Sequence, residues 1–266
     1  MENRLTMFAK TEAIVLRVHP WSNSSHLVTW LTPAHGRVTT RVKGACRPKS
    51  FFLGQYDLFY TCELIFYTRD TGGVHSIREA SPLNLRESLR DNWRSACAAN
   101  YYADLACHAS VPMQESRSHY HLLQRDLDAL CTASPTTADI LLHEACLLKL
   151  LGLSPGLAHC PHCHTQPHQP VRYSITAAQP LCEHTRPAAP SDHILTLPFG
   201  VLRALARLFE TGRGFAPENF SLDIRRFLGI FMRHHLELPM SARRTLFDLF
   251  NSLPVAPCAP PPRNNS

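Results

Sequence analysis

Five short segments in which apolar and polar side chains alternate follow one another in the first 80 residues. They are rich in Val, Ile, Thr, Tyr and Phe, and they cover residues 11–18, 25–32, 36–43, 56–67 and 74–80. Turn-forming stretches separate them, as is typical of consecutive β-strands. A sheet this small buries its edges best by closing on itself, and the five-stranded OB-fold is the common closed solution. The pattern therefore predicts an OB-fold barrel over residues 1–80.

The apolar spacing changes to that of helices after residue 80. Ser81 is a predicted N-cap with Pro82 at the first helical position, and one long helix is expected over 83–109. Further helices are expected at 114–131, 137–151 (with Gly152 as the stop), 198–212, 222–237 and 241–253. The sequence thus predicts an α+β protein, in which the N-terminal five-stranded OB-fold barrel is followed by an α-helical domain over 81–253. The Pro-rich tail, 254–266, is predicted to be disordered.

An insertion rich in Pro, His and Cys interrupts the helical pattern between residues 154 and 198. It holds eight prolines, six histidines and three cysteines. Cys160-x2-Cys163 has the spacing that lets two thiolates reach one ion, and Cys182 and His184 complete the four ligands of a tetrahedral zinc. We therefore predict a zinc-finger-like module at about 156–190 that carries a structural zinc ion.

Other interpretations of this module remain open. The fourth ligand can instead be one of the other histidines, His159, His162, His164, His168 or His193. A degenerate module without metal is the simplest alternative. A catalytic zinc is disfavoured because three thiolates make a poor Lewis acid and no His-Glu-x-x-His motif supplies a base. A redox pair is disfavoured because no strand-helix unit of thioredoxin type adjoins it.

The remaining cysteines and the hydropathy pattern indicate a soluble, unexported protein. No segment has the roughly 18 apolar residues that a membrane span needs, and the N-terminus lacks the apolar core of a signal peptide. Six cysteines are scattered through regular segments, where thiols commonly pack as core residues: Cys46, Cys62, Cys97, Cys107, Cys131 and Cys146. These features favour a reducing cytoplasm.

The positive charge is concentrated in the first fifth of the chain. Residues 1–56 hold eight basic and two acidic side chains, which accounts for the whole formal net charge of +6, and no acid occurs from 13 to 56. A field of one sign favours a polyanionic partner, whereas a face that only confers solubility normally mixes signs. That solubility reading stays open, and a nuclear localisation signal is disfavoured because the cations alternate with Val.

The basic segment 36–50 is predicted to be a strand with a cationic outer face and a cationic loop. Alternation sends Val38 and Val42 to one face and the cations to the other, and Phe51 follows the loop. OB-folds hold single strands with cations along the backbone and aromatic rings that stack on bases. The predicted nucleic-acid-binding residues are Arg37, Arg41, Lys43, Arg47, Lys49 and Phe51.

Three segments of the N-terminal part are distinctive: "KTEAIVLRV", "SSHLVTWLTPAHGRVTTRVKGACRPKS" and "LGQYDLF". The most specific part is "TPAHGR" leading into "KGACRPKS". In these segments the chain resembles the RecO family of bacterial recombination mediators and DNA repair proteins. The similarity is weaker in the helical part and returns at the Cys-x2-Cys region. The chain departs from the family at Asn23, where an acid is frequent, at Phe51, where an Arg is frequent, and at Thr185, where a fourth Cys is usual.

The resemblance implies a recombination mediator without catalytic residues. Such proteins bind single- and double-stranded DNA, anneal strands and help to load RecA onto DNA coated with SSB, in a RecF-type pathway. The implied partners are DNA, RecR and the acidic C-terminal tail of SSB, with RecF and RecA as indirect partners, and the implied location is the cytoplasm, at the nucleoid. Candidates for the cationic rim of a groove for that tail are Arg203, Arg207, Arg225, Arg226 and Arg233, which can equally be solvated faces of core helices.

Two other functions are compatible with the sequence. One is a zinc-dependent hydrolase or nuclease that uses the Cys and His cluster, and the other is a generic OB-fold adaptor with no role in recombination. No Walker loop, nucleophile elbow or dinucleotide fingerprint occurs in the sequence. We therefore predict no catalytic residue and no enzyme.

Overall fold

The N-terminal part of the chain forms a closed five-stranded barrel in the computed structural model, which describes residues 8–68, 73–160, 162–164, 167, 170–182, 193–211, 221–238 and 240–252. The strands are β1 (Phe8–Ser22), β2 (Ser25–Thr32), β3 (Gly36–Val42), β4 (Thr61–Tyr67) and β5 (Val74–Asn84). They close in the order β1-β2-β3-β5-β4, with β3 and β5 parallel and the other pairs antiparallel. This topology is that of the OB-fold, so the predicted fold class is confirmed.

The barrel interior is filled by alternate side chains of its strands. On β3, Val38, Thr40 and Val42 are fully buried, while the side chains between them are half-buried, as the alternation predicts. The indole of Trp30 on β2 donates a hydrogen bond from Nε1 to Oγ1 of Thr40, at 2.9 Å, so the one polar atom of this large ring is satisfied inside the barrel.

The opposite face of β1 and β2 packs on the helical domain. Ile14, Leu16 and Leu31 are buried in the same core as the helices, whereas Ala13 and Val15 belong to the barrel core. These strands are therefore buried on both faces, which explains the continuous apolar run in β1.

The start predicted for the first helix, residue 83, is wrong because β5 continues to Asn84, whereas its predicted end at residue 109 is confirmed. Cys62 on β4 pairs with Pro82, and Thr61 pairs with Asn84. Pro82 is tolerated because β3 pairs with β5 only over Val74–Ser76, so the missing N–H of Pro82 removes no ladder bond on that side. A short 3-10 helix (Glu87–Arg90) follows, and the helix proper begins at Trp93, with the side chain of Asn92 accepting from two amides of the first turn.

The remainder of the described chain is helical with one small sheet. The helices are α1 (Trp93–Ala109), α2 (Arg117–Thr132), α3 (Thr137–Leu150), α4 (Phe199–Thr211), α5 (Ser221–Leu236) and α6 (Ser241–Ser252). The insertion holds β6 (Val171–Ser174), β7 (Gln179–Leu181) and β8 (Ile194–Leu197), in the order β7-β6-β8.

Gly152 ends α3 with a positive φ, as predicted. No helix of the described ranges is long and apolar enough to cross a membrane, and the tail 254–266 lies outside those ranges.

The N-terminal end of β3 is hydrogen-bonded to the loop between α1 and α2. The amide of Arg37 donates to the carbonyl of Val111 at 3.3 Å. Gly36 has a φ of +55°, and a Cβ there would lie 2.3 Å from the backbone oxygen of Gln114, so only glycine fits. The helical domain therefore covers this end of the strand.

Arg86 forms a second junction between the two domains. Its Nη1 donates to the Phe59 carbonyl at 2.6 Å and to Oγ1 of Thr61 at 2.9 Å, and its Nε donates to Oδ1 of Asp128 on α2 at 2.7 Å. This buried guanidinium thus links β4 to α2. A third link is an ion pair between Arg17 on β1 and Asp104 on α1.

Candidate nucleic-acid interface, arginine groove and metal centre

The C-terminal end of β3 and the loop after it carry positive charges that have no partner in the described part of the chain. Arg41 is half-buried on the outer barrel face, and Lys43, Arg47 and Lys49 are exposed. None of these four side chains forms an ion pair or a side-chain hydrogen bond with any residue in the described ranges. We call them the cationic strand end.

The loop that carries these cations is ordered by consecutive turns and presents apolar side chains to solvent. The amide of Ser50 donates to the Arg47 carbonyl at 2.9 Å, and the amide of Leu53 donates to the Ser50 carbonyl at 3.2 Å. Phe51 and Leu53 are 71% and 69% exposed. Phe52 packs against the barrel core and holds the ring of Phe51 edge-on, with the centroids 5.8 Å apart. An exposed ring therefore follows, two residues after Lys49, the cations that lack a partner in the described ranges.

Arg37 lies apart from the other predicted nucleic-acid-binding residues. Its Nη1 donates to the carbonyl of Cys107, near the end of α1, at 2.6 Å. The side chain is half-buried at the junction with the helical domain, so its guanidinium is already engaged by the protein. Strand alternation places Arg37 and Arg41 on one face, but only the Arg41 end of that face is open.

A groove between α5 and α6 collects five arginines. It has a volume of about 380 Å³, and its apolar lining comes from Leu222, Ile230 and Met240. The arginines that line it are Arg225, Arg226, Arg233, Arg243 and Arg244. We call it the arginine groove. Two of the predicted partner-binding residues, Arg203 and Arg207, are exposed on α4 and are not among its lining residues.

A buried ion pair supports the floor of the arginine groove. Nε and Nη2 of Arg243 donate to the two carboxylate oxygens of the fully buried Glu144, at 2.7 and 2.9 Å. The hydroxyl of Tyr101 donates to the same carboxylate at 2.6 Å. Although burial alone disfavours its charge, the Glu144 carboxylate raises the pKa of Arg243 above its ordinary value. Arg243 therefore remains charged and fixes α6 to α3.

Arg225 on α5 packs against α6. Its guanidinium lies over the Phe247 ring, 4.2 Å from the centroid, and burial and the neighbouring Arg243 lower its pKa. Its carbonyl accepts a hydrogen bond from Nη2 of Arg243 at 2.9 Å. Arg226, Arg233 and Arg244 are exposed, so these three supply the accessible charge of the arginine groove. Arg243 was missed by sequence reasoning, since its partner lies 99 residues away in the chain.

Three of the four predicted metal ligands meet in one cluster. The Sγ atoms of Cys160, Cys163 and Cys182 lie within 4.8 Å of one another. Tetrahedral Zn–S bonds of about 2.3 Å place sulfurs about 3.8 Å apart, so the cluster fits a metal ion. The amide of His164 donates to the Cys160 carbonyl at 2.8 Å and closes a tight turn around the first two thiols. The predicted fourth ligand, His184, lies outside the described residues.

Four of the other histidines proposed as fourth ligands lie in the described ranges, and none of these four belongs to the cluster. Among the described residues, the metal-ligand group contains only the three cysteines. His159, His162, His164 and His193 are exposed, and His168 lies outside the described ranges. Two of the cysteines, Cys160 and Cys182, are buried, which is typical of a structural site.

An OB-fold barrel with an open cationic strand end is typical of nucleic-acid-binding proteins. The family model for the N-terminal part of recombination protein O matches residues 7–86, and the model for its C-terminal part matches residues 90–244. The chain therefore belongs to the RecO family.

Curated relatives match over most of the chain. The chain is 28% identical over 247 residues to a DNA repair protein RecO of Anaeromyxobacter dehalogenans, which covers 91% of this chain and 96% of the relative. It is 28% identical over 251 residues to that of Syntrophus aciditrophicus, covering 90% and 95%. It is 26% identical over 160 residues to that of Bacillus subtilis, covering 60% and 62%.

Proposed function

We propose that this chain is a DNA-binding recombination mediator in DNA repair, acting in the cytoplasm at the nucleoid and without catalysis of its own. The observation that carries the proposal is the cationic strand end, where four cations have no partner in the described structure and are followed in sequence by the exposed Phe51. Membership in the RecO family supports it, since the curated relatives are named DNA repair proteins.

The barrel binds DNA through phosphates in this proposal, without reading sequence. Lysine and arginine release counterions when they neutralise phosphates, and this release favours binding to any strand. Phe51 stacks on an unpaired base, which adds affinity for single strands over duplexes. Binding of both strand types by one open surface would let the protein anneal complementary strands.

The arginine groove binds the acidic tail of SSB in this proposal. Acidic side chains and a terminal carboxylate would face Arg226, Arg233 and Arg244, while an apolar residue would enter the lining of Leu222, Ile230 and Met240. With SSB held on the helical domain and DNA on the barrel, the protein would help RecA to replace SSB. RecR is the expected direct partner, and RecF the indirect one.

The cysteine cluster holds a structural zinc ion in this proposal. Cys160, Cys163 and Cys182 would bind the ion with His184, and the bound metal would join the turn at Cys160 and Cys163 to the end of β7 within the insertion. Cys160→Ser should abolish stoichiometric zinc in the purified protein and lower its melting temperature. Zinc loss that leaves stability unchanged but abolishes cleavage of DNA would support the hydrolase alternative instead.

The salt dependence of DNA binding tests the main proposal. Replacing all four residues of the cationic strand end by Ala should lower the slope of log K against log salt on single-stranded DNA by about 3, at about 0.7 per phosphate contact. Lys10→Ala is the matched control, because this barrel cation is paired with Glu63 at 2.9 Å. An unchanged slope in the fourfold variant would refute this assignment of the barrel face.

A further inference from the structure

An exposed thiol lies in the loop after β3, beside two polar rings. Of the nine cysteines that the structure describes, Cys46 alone is exposed, although the sequence predicts a core residue. Its Sγ lies 3.3 Å from Nε2 of His26 on β2. The other ring nitrogen of His26, Nδ1, lies 2.8 Å from the hydroxyl oxygen of Tyr56. We call these three side chains the Cys-His-Tyr relay.

The barrel fixes the geometry of the relay. The amide of Cys46 donates to the Ser24 carbonyl at 3.3 Å, which ties the loop to the turn between β1 and β2. The ring of Tyr56 packs edge-on against the buried Trp30, with the centroids 6.0 Å apart. Burial, and secondly the nearby Cys46 thiol, raise the pKa of Tyr56, so its hydroxyl remains protonated. The imidazole is therefore held with one nitrogen at Tyr56 and the other at the sulfur.

The sequence around Cys46 is cationic. Lys43, Arg47 and Lys49 lie within three residues of Cys46, and the sequence from 13 to 56 contains no acid. An imidazole nitrogen beside a thiol can accept the thiol proton, and the thiolate is the nucleophilic form. The same cations attract reagents that carry carboxylates.

We propose that Cys46 is a covalent modification site, where His26 accepts the thiol proton and the thiolate exchanges with small disulfides that carry carboxylates. The Cys46 sulfur attacks one sulfur of the disulfide, so that a new S–S bond forms as the old one breaks. The other half leaves as a thiolate, which takes the proton from His26. The disulfide is the oxidant, so that no further reagent is needed.

The adduct places negative charge inside the cationic strand end. Carboxylates attached at Cys46 would compete with DNA phosphates for Lys43 and Arg47, and modification would weaken DNA binding reversibly. This consequence rests on the proposed function, whereas the modification itself does not.

Reaction of the full-length protein with glutathione disulfide tests the site. Peptide mapping should show Cys46 forming the adduct about tenfold faster than the half-buried Cys97 and Cys131 at neutral pH. Mapping also separates Cys46 from Cys258, which lies outside the described residues. A Cys46 rate equal to that of Cys97 and Cys131 would overturn the proposal.

Two variants test the relay. His26→Gln should slow adduct formation at Cys46 about tenfold and change the pH dependence of the rate, because no imidazole then accepts the thiol proton. Tyr56→Phe keeps the ring that packs on Trp30 and should slow the reaction less, with a smaller shift of the same profile, so it serves if His26→Gln does not fold. An unchanged rate and pH profile in both variants would overturn the role of His26.

Single-stranded DNA binding by the adduct tests the consequence. The modified protein should bind about tenfold more weakly than the untreated protein, and a reductant should restore binding. Cys46→Ser, treated with the same disulfide, is the control and should bind as the untreated protein does. An adduct that binds DNA with full affinity would overturn the consequence, whereas untreated protein that binds no DNA would instead overturn the proposed function.

Discussion

The cationic strand end and the arginine groove each gather several positive charges but hold them in opposite ways. At the strand end, all four cations lack partners among the described residues. In the arginine groove, Arg243 is bound to Glu144 and Arg225 lies over Phe247, which leaves three exposed arginines above an apolar lining. Cations that have no protein partner suit a long, uniform polyanion. Cations around an apolar lining suit a short peptide that has both acidic and apolar residues. An arginine's function thus depends on its partners more than on its charge.

The largest expected effect is on the free energy of unfolding, and it separates the buried Arg243 from the exposed Arg244 of the same groove. Arg243→Leu leaves the charge of Glu144 buried without its partner and should lower the free energy of unfolding by about 3–5 kcal/mol. Arg244→Leu, an exposed neighbour in the same groove, should change it by less than about 0.5 kcal/mol. Denaturant titration of both variants measures the difference, and equal stabilities would refute the structural role of Glu144 and Arg243.

Two arginines of one strand give the next test. Arg37→Ala removes the hydrogen bond to the Cys107 carbonyl and should cost about 1.5–3 kcal/mol of stability while leaving the salt dependence of DNA binding unchanged. Arg41→Ala should leave stability unchanged and lower the salt slope on single strands by about 0.7. The opposite pattern would mean that the two ends of β3 have been assigned the wrong roles.

The aromatic ring beside the cations is expected to act without charge. Phe51→Ala should cost about 1–3 kcal/mol of binding to single-stranded DNA and leave the salt slope unchanged, because stacking releases no counterions. Leu53→Ala is the matched control, since Leu53 is equally exposed but has no ring. Equal losses in both variants would argue against stacking. Binding is measured by fluorescence anisotropy over a range of salt.

The smallest effect concerns the rim of the arginine groove. Arg226→Gln should weaken binding of an acidic peptide with an apolar C-terminal residue by about 0.5–1 kcal/mol at low salt, because exposed charge pairs are weak. Arg203→Gln on α4 is the control and should have no effect. Titration calorimetry with the peptide measures both, and equal losses would place the peptide elsewhere on the helical domain.

The barrel and its buried face could be predicted because local alternation determines them. Val38 and Val42 follow directly from a period of two, and the acid-free field follows from counting charges. The cysteine cluster follows in part, since Cys-x2-Cys spacing is local, but Cys182 is brought there by β7.

What could not be predicted depends on contacts between distant parts of the chain. Arg37 bonds a carbonyl 70 residues away, and no local pattern distinguishes it from Arg41. Ser81 and Pro82 have the sequence pattern of a helix N-terminus, but pairing with β4 keeps both residues in β5. Cys46 was expected in the core because free cysteines are commonly buried, yet the turn after β3 exposes it. In each case tertiary structure overrides a local preference.

The junctions at Gly36, Arg37, Arg17 and Arg86 have a consequence for how the molecule unfolds. The packing of Ile14, Leu16 and Leu31 places barrel side chains inside the core of the helical domain. Unfolding of the barrel would therefore expose the core of the helical domain to water. Separation of the helices would expose the apolar side chains on one face of β1 and β2. We therefore expect the two domains to melt as one cooperative unit, with a single calorimetric transition whose van't Hoff and calorimetric enthalpies agree.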